Sequence, residues 1–213
     1  DLRADGNYYI PMRDPATDTD IQEMIDAGIH VVIASGNSSF KADISTGIDY
    51  DNDVDTGAGL LYYHRGSSPY NDNAFYVGSI DSEVTGLGEQ INNFSVRGPA
   101  VNIFAPGSYI RSSMSNTNDH SAATYYLNSS YKQGTISGTS MASPQVCGLG
   151  ATILQTNPHL TPAQLLQKVT NLATDNMLYS TSSDNDYNDT RSLLDSNNKF
   201  LNTPFNSQYP LTT

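Results

Sequence analysis

Residues 138–155 constrain the fold more than any other part of this chain. They open with Gly138-Thr139-Ser140-Met141-Ala142-Ser143-Pro144, at the end of a Gly/Ser/Thr-rich run. They continue through Ala142, Val146, Cys147, Leu149, Ala151, Ile153 and Leu154, small and apolar on every side. The spacing predicts a helix over 140–155, and a helix apolar all round is a buried one. Cys147 reads as a small buried hydrophobe within it. Pro144 is tolerated because it falls near the first turn, where its missing N–H removes little. The helix start sets the Ser140 hydroxyl among unpaired N–H groups at the positive end of the dipole. A serine nucleophile needs that setting, because its attack creates an oxyanion.

The surrounding pattern alternates helix and strand. Residues 18–28 predict a short helix capped by Thr17 or Asp18, with Ile21, Met24 and Ile25 on one face and Gly28 ending it. Residues 29–34, Ile-His-Val-Val-Ile-Ala, predict a strand buried on both faces of a parallel sheet. Further strands are expected at 75–80 and 101–105, the second stopped by Pro106-Gly107. Polar stretches at 38–73 and 112–133 read as loops. Residues 162–173 predict another helix, with Thr161 and Gln164 as a capping box and Pro162 at the first helical position. This is an α/β arrangement. Residues 1–178 read as one unit and 179–213 as an irregular polar tail.

The chain has 213 residues, with 22 acidic and 10 basic side chains and a net charge of −12. That excess repels phosphate backbones and anionic lipid, so neither nucleic acid nor a membrane is expected as a partner. No apolar run approaches the roughly 18 residues of a membrane span. The single cysteine excludes an intramolecular disulfide. The first residue is Asp1 and the first methionine Met12, so the expectation is a mature, cleaved or truncated piece of something longer.

Four motifs in order carry a resemblance. The segment Gly138-Thr139-Ser140-Met141-Ala142-Ser143-Pro144 resembles the nucleophile signature of the subtilisin-like serine proteases (subtilases). Val32-Ile33-Ala34-Ser35-Gly36-Asn37 resembles that family's strand ending in the oxyanion-hole asparagine. Asn93-Phe94-Ser95-Val96-Arg97-Gly98-Pro99 and Ile103-Phe104-Ala105-Pro106-Gly107 resemble two further family stretches. The helix from Thr161 resembles the one after the nucleophile helix. The resemblance covers roughly residues 17–178. It implies a three-layer subtilisin-like fold with a mostly parallel sheet, of which the chain holds the carboxy-terminal portion. It also implies peptide-bond hydrolysis through an acyl-enzyme on Ser140. The oxyanion would be held by the Asn37 side-chain amide and the Ser140 N–H.

The family triad is Asp, His, Ser in chain order, with the histidine in a His-Gly-Thr-His stretch. None of His30, His64, His120 and His159 sits in such a stretch or precedes the Asn37 strand. The expected partner is therefore the missing amino-terminal part of the same domain, as a separate or cleaved chain that supplies the Asp and His. Peptide or protein is the expected substrate, and self-processing is one form the reaction could take. The alternative is a non-catalytic structural module within a larger assembly such as a virion or surface particle. The setting stays open between extracellular and particle-bound. The family commonly shows Pro-His-Val-Ala-Gly after the nucleophile, where this chain has Pro144-Gln145-Val146-Cys147-Gly148. Asp49, Asp51, Asp53 and Asp55 alternate in the first polar stretch. Val54 and Leu60 do not fit an EF-hand loop, so a solvated acidic loop is the better reading. Ca²⁺, which many subtilases carry, stays open as a cofactor, and no metal ligand is assigned.

Overall fold

The computed structural model describes residues 14–50, 52–55, 60–63, 69–82, 88–117, 122–179 and 191–202. Within them the chain runs α1 (Pro15–Asp26), β1 (Val32–Ala34), β2 (Asn52–Asp55), β3 (Leu60–Tyr63), β4 (Phe75–Ile80) and β5 (Ile103–Pro106). It continues through β6 (Ile110–Met114), β7 (Ala123–Thr124), β8 (Lys132–Ile136), α2 (Thr139–Thr156), α3 (Pro162–Leu172), β9 (Thr174–Asp175) and β10 (Lys199–Phe200). The main sheet has the order β1-β4-β5-β10-β9. Its first three pairings are parallel, and only β9 is antiparallel. The α/β class with a mostly parallel sheet is thus the observed one.

All six residues of β4 are buried, as a strand covered on both faces requires. Alternation then sorts the core into two layers. Phe75 and Val77, with Ile103 and Ala105 of β5, face Ala142, Val146, Leu149 and Ile153 of α2 and Leu165 and Val169 of α3. Tyr76, Ile80 and Phe104 face the other way, into a cluster that includes Ile21 and Ile25 of α1. At Gly78 a Cβ would collide with the Phe104 ring, so glycine lets that ring lie flat on the strand.

Several boundaries differ from expectation for local reasons. α1 begins at Pro15, and its cap is Asp14, whose carboxylate accepts from the Ala16 N–H; Thr17 donates its hydroxyl to the same carboxylate. A proline at the first helical position moved the start three residues upstream of the predicted one. Gly28 ends the helix at φ +81°, as predicted. In α3 the Thr161–Gln164 capping box is present as read. α2 starts at Thr139, which puts Pro144 inside the helix rather than in its first turn. Cys147 is exposed, not buried. It lies on the flank of α2 with Gly148 and Ala151, which no described element covers.

The polar stretches are not all loop. Residues 52–63 contain a two-stranded antiparallel hairpin, β2–β3. Residues 110–136 build a separate three-stranded antiparallel sheet of order β6-β8-β7. Part of the expected irregular tail is also ordered. Residues 191–202 dock on the domain and place β10 between β5 and β9. The Ser192 carbonyl accepts from the buried Arg97 guanidinium at 2.7 Å, and Ser196 Oγ accepts from the Gly98 N–H at 2.7 Å. Phe200 packs against the core. The sequence pattern hides this because the docking is done by serines through long-range hydrogen bonds.

Candidate active site

Parallel sheets build sites beyond the carboxyl ends of their strands, and Asn37 and Ser140 meet there. β1 leads through Ser35 into Gly36, which sits at φ +110°, a conformation that favours glycine. The turn presents Asn37 to the first turn of α2. The Asn37 Oδ1 accepts from both the Thr139 N–H and the Thr139 hydroxyl, each at 2.9 Å. Thr139 Oγ1 accepts in turn from the Gly36 N–H at 3.1 Å. With its oxygen held twice, the carboxamide has one orientation. Its Nδ2 has no hydrogen-bond partner among the described residues, and a Cβ on Gly138 would touch it at 3.4 Å.

Ser140 is exposed while Thr139 is fully buried. The Ser140 N–H belongs to the first helical turn, whose donors have no intrahelical acceptor. Thr139 N–H and Met141 N–H are spoken for, by Asn37 Oδ1 and the Gly138 carbonyl. The turn therefore offers the Ser140 N–H beside the Asn37 amide, two donors at the positive end of an 18-residue helix. That pair can stabilise an anionic oxygen next to the Ser140 hydroxyl.

A buried polar network braces this corner. Gly138 N–H donates to the Gly107 carbonyl at 2.8 Å, and Gly107 N–H to the Ile80 carbonyl. A Cβ on Gly107 would collide with Ser79 Oγ and lie 2.8 Å from the Gly138 oxygen, so glycine permits this close approach. Beneath it, Asn92 donates to Ser79 Oγ and the Ile80 carbonyl and accepts from Ser108 Oγ. Ser95 Oγ accepts from the Ser79 N–H. Gln145 donates its amide to the Pro106 and Met141 carbonyls, which ties α2 to the end of β5. The sequence motifs Phe-Ser-x-x-Gly-Pro and Ala-Pro-Gly are thus the braces of the site. Thr139 is the residue that the sequence reading missed. Its partners lie 102 and 103 positions away, and only its place inside the motif could have pointed to it.

No histidine is brought to Ser140 among the described residues. His30 lines a groove with Cys147, two helical turns from Ser140, about 10 Å along the axis. His159 follows the far end of α2. His64 and His120 lie outside the described residues. The Ser140 hydroxyl has no hydrogen-bond partner among the described residues. In the acidic stretch, Asp49 accepts from Asn52 Nδ2 and lies 3.6 Å from Lys41 Nζ. Asp51 is outside the described residues, and those described gather no group of three or more His, Cys, Asp or Glu.

Among relatives, cerevisin of Saccharomyces cerevisiae is 28% identical over 179 residues, covering 78% of this chain and 22% of its own length. An extracellular serine proteinase of a Thermus species is 29% identical over 163 residues, covering 76% and 30%. A crystal structure of a cold adapted subtilisin-like serine proteinase matches with a TM-score of 0.57 at 28% identity, over 89% of this chain and 50% of that one. Fervidolysin from Fervidobacterium pennivorans, at 20% identity and a TM-score of 0.57, shares the fold over 87% of this chain and 24% of its own. The chain therefore spans at most half the length of these proteins, and its α/β fold is subtilisin-like. The model of the Subtilase family (peptidase S8) matches residues 10–194, a span that includes Asn37, Ser140 and the network around them, and the chain belongs to that family.

Proposed function

We propose that this chain is the nucleophile-bearing part of a serine endopeptidase. The Ser140 oxygen attacks a peptide carbonyl while its proton passes to a histidine. The carbonyl oxygen becomes an oxyanion held by Asn37 Nδ2–H and the Ser140 N–H. Collapse expels the amine, which takes the proton, and leaves an acyl-enzyme that water hydrolyses. The histidine and its aspartate come from sequence outside this chain. The observation that carries this reading is the Thr139 lock, which fixes Asn37 with its amide free beside the serine.

One edge of the main sheet supports a place for that complementary part. Val31, Ile33 and Ser35 carry the hydrogen bonds to β4. In a parallel ladder that turns the Val32 N–H and C=O to the other side, where no described strand lies. An apolar groove of about 370 Å³ flanks that edge, lined by Ile29, Val32, Cys147, Ala151 and Leu154. The His30 Nδ1 is buried there without a partner among the described residues. We infer that the complementary part of the domain adds a parallel strand to β1 and covers this groove, as a separate or cleaved chain. An extracellular setting agrees with the name of the Thermus relative, and no helix of the described residues is long and apolar enough to cross a membrane.

A fluorophosphonate probe on the assembled protein tests the reaction. Labelling that Ser140→Ala abolishes is expected, with a loss of rate on the order of 10⁶-fold, the scale measured for the serine of subtilisin. Absence of labelling at every pH would instead favour a structural module, the reading suggested by the unpartnered Ser140 hydroxyl.

A further inference from the structure

The β6-β8-β7 sheet stands beside the nucleophile but serves none of its braces. β8 ends at Ile136, four residues before Ser140. The main sheet and the helices do not pack extensively on it. Its outer strand β6 has β8 on one side and no described strand on the other. Exposed apolar side chains concentrate here: Tyr109, Tyr126, Leu127, Tyr131 and Ile136 are five of the nine large hydrophobics that stand out among the described residues. A groove of about 430 Å³ runs along residues 111–114 of β6 and is walled by Tyr125 and Tyr131. Tyrosine, methionine and arginine, the residues enriched in the buried centres of interfaces, all line it.

Charge marks what would fit. Of the 22 acidic residues, only Asp119 lies between Glu89 and Asp175, against four basic ones. The described residues of the three-stranded sheet and its turns carry no carboxylate. Arg111 and Lys132 line the groove, and neither has an ion pair among the described residues. On a chain of net charge −12 this is a local reversal of sign, and it attracts anionic groups.

We propose that this sheet docks an extended acidic polypeptide segment. The segment adds as a strand to the free edge of β6, its apolar side chains rest on Met114, Tyr125 and Tyr131, and its carboxylates meet Arg111 and Lys132. Main-chain hydrogen bonds supply affinity in such strand addition, and alternate side chains supply specificity. Docking needs only the sheet, so it stands apart from hydrolysis at Ser140.

Fluorescence anisotropy of the full chain with a labelled peptide of alternating Asp and Val is the test, with alternating Lys and Val as the control. Saturable binding of the first peptide alone is expected, weakening as salt screens it. The Arg111→Glu/Lys132→Glu variant should bind at least about tenfold more weakly. Tyr131→Ala, which leaves the charges in place, should weaken it too. Equal binding of both peptides, binding indifferent to the charge reversal, or no binding would overturn the proposal. So would a dimer in sedimentation that the charge reversal dissociates, since a second copy would then occupy the sheet. The readout is binding without turnover, so it stays decisive even if Ser140 never reacts.

Discussion

The two edges of the main sheet are finished differently. At one, β9 and β10 are two residues each, Lys199 pairs with Asp175 at 2.7 Å, and the strand is anchored through Ser192 and Ser196. Short strands with charged side chains are how sheets blunt an edge. At the other, β1 presents at Val32 a backbone with no partner among the described residues, beside an apolar groove, with Ile29 46% exposed. One edge is finished by described strands, and the other has the composition of an interior strand with no neighbouring strand among the described residues. The Asn37–Ser140 corner belongs to the complete side of this contrast, because the groups that orient Asn37 lie in the chain itself.

The largest test of that contrast is at Asn37. In the assembled protease, Asn37→Ala should lower kcat by about 10²–10³, the range measured for one oxyanion donor in subtilisin. Thr139→Val should lower it less, by about 1–2 kcal/mol or roughly fivefold to thirtyfold, because the carboxamide stays and keeps its bond from the residue-139 N–H while losing the one from the hydroxyl. Steady-state kinetics would separate the two, and equal losses would mean that Thr139 does more than orient Asn37.

Val32→Pro addresses the open edge. Its N–H faces away from β4, so proline removes no bond of the existing ladder and blocks only an added parallel strand. Association with the complementary part, read by co-purification, should fall at least about tenfold while the melting temperature of the chain alone changes little. A large drop in melting temperature would show that the edge is already paired within the chain.

The closed edge should answer in the opposite way. Ser196→Ala leaves the Gly98 N–H without its acceptor in a buried site, at a cost of about 1–3 kcal/mol. For a chain of this size that is a fall of roughly 2–4 °C per kcal/mol, read by calorimetry.

The smallest effect lies at the exposed start of α1. The Thr17 hydroxyl, and after it the Ala16 N–H, hold the Asp14 carboxyl below its ordinary value. A lowered folded-state value adds stability that is full above the unfolded value, about 3.9, and is lost as pH falls through the folded one. Amide protection factors in α1, which divide out the intrinsic exchange rate, should therefore fall on acidification through the folded-state value, and Asp14→Ala should abolish that pH dependence.

How much the sequence reveals depends on the range of the interaction. The helix of residues 162–172 was legible to its capping box, because a cap is settled within three positions. β4 was legible from its composition, and the two motifs picked out Asn37 and Ser140, which the fold sets side by side. Cys147 was misjudged because an apolar helix is buried only where something covers it, and no described element covers this flank of α2. Residues 112–133, most of the three-stranded sheet, were read as loop because its strands are short and polar, with little alternation to detect. Tyr70 shows the same limit from inside the core. Its phenol is pushed above its usual range, first by burial and then by the Asp72 carboxylate, and its ring packs edge-on to Tyr50 and Tyr76. None of that is visible in local pattern.

By itself, then, the sequence determined the helices, the buried strands and the serine–asparagine pair, since each rests on local propensity and on residues whose chemistry is legible where they stand. The tertiary structure alone decided that Thr139 clamps Asn37 and that residues 191–202, held through Ser192 and Ser196, close one sheet edge. Those outcomes rest on hydrogen bonds and packing between residues about 100 positions apart, where no local pattern carries the signal.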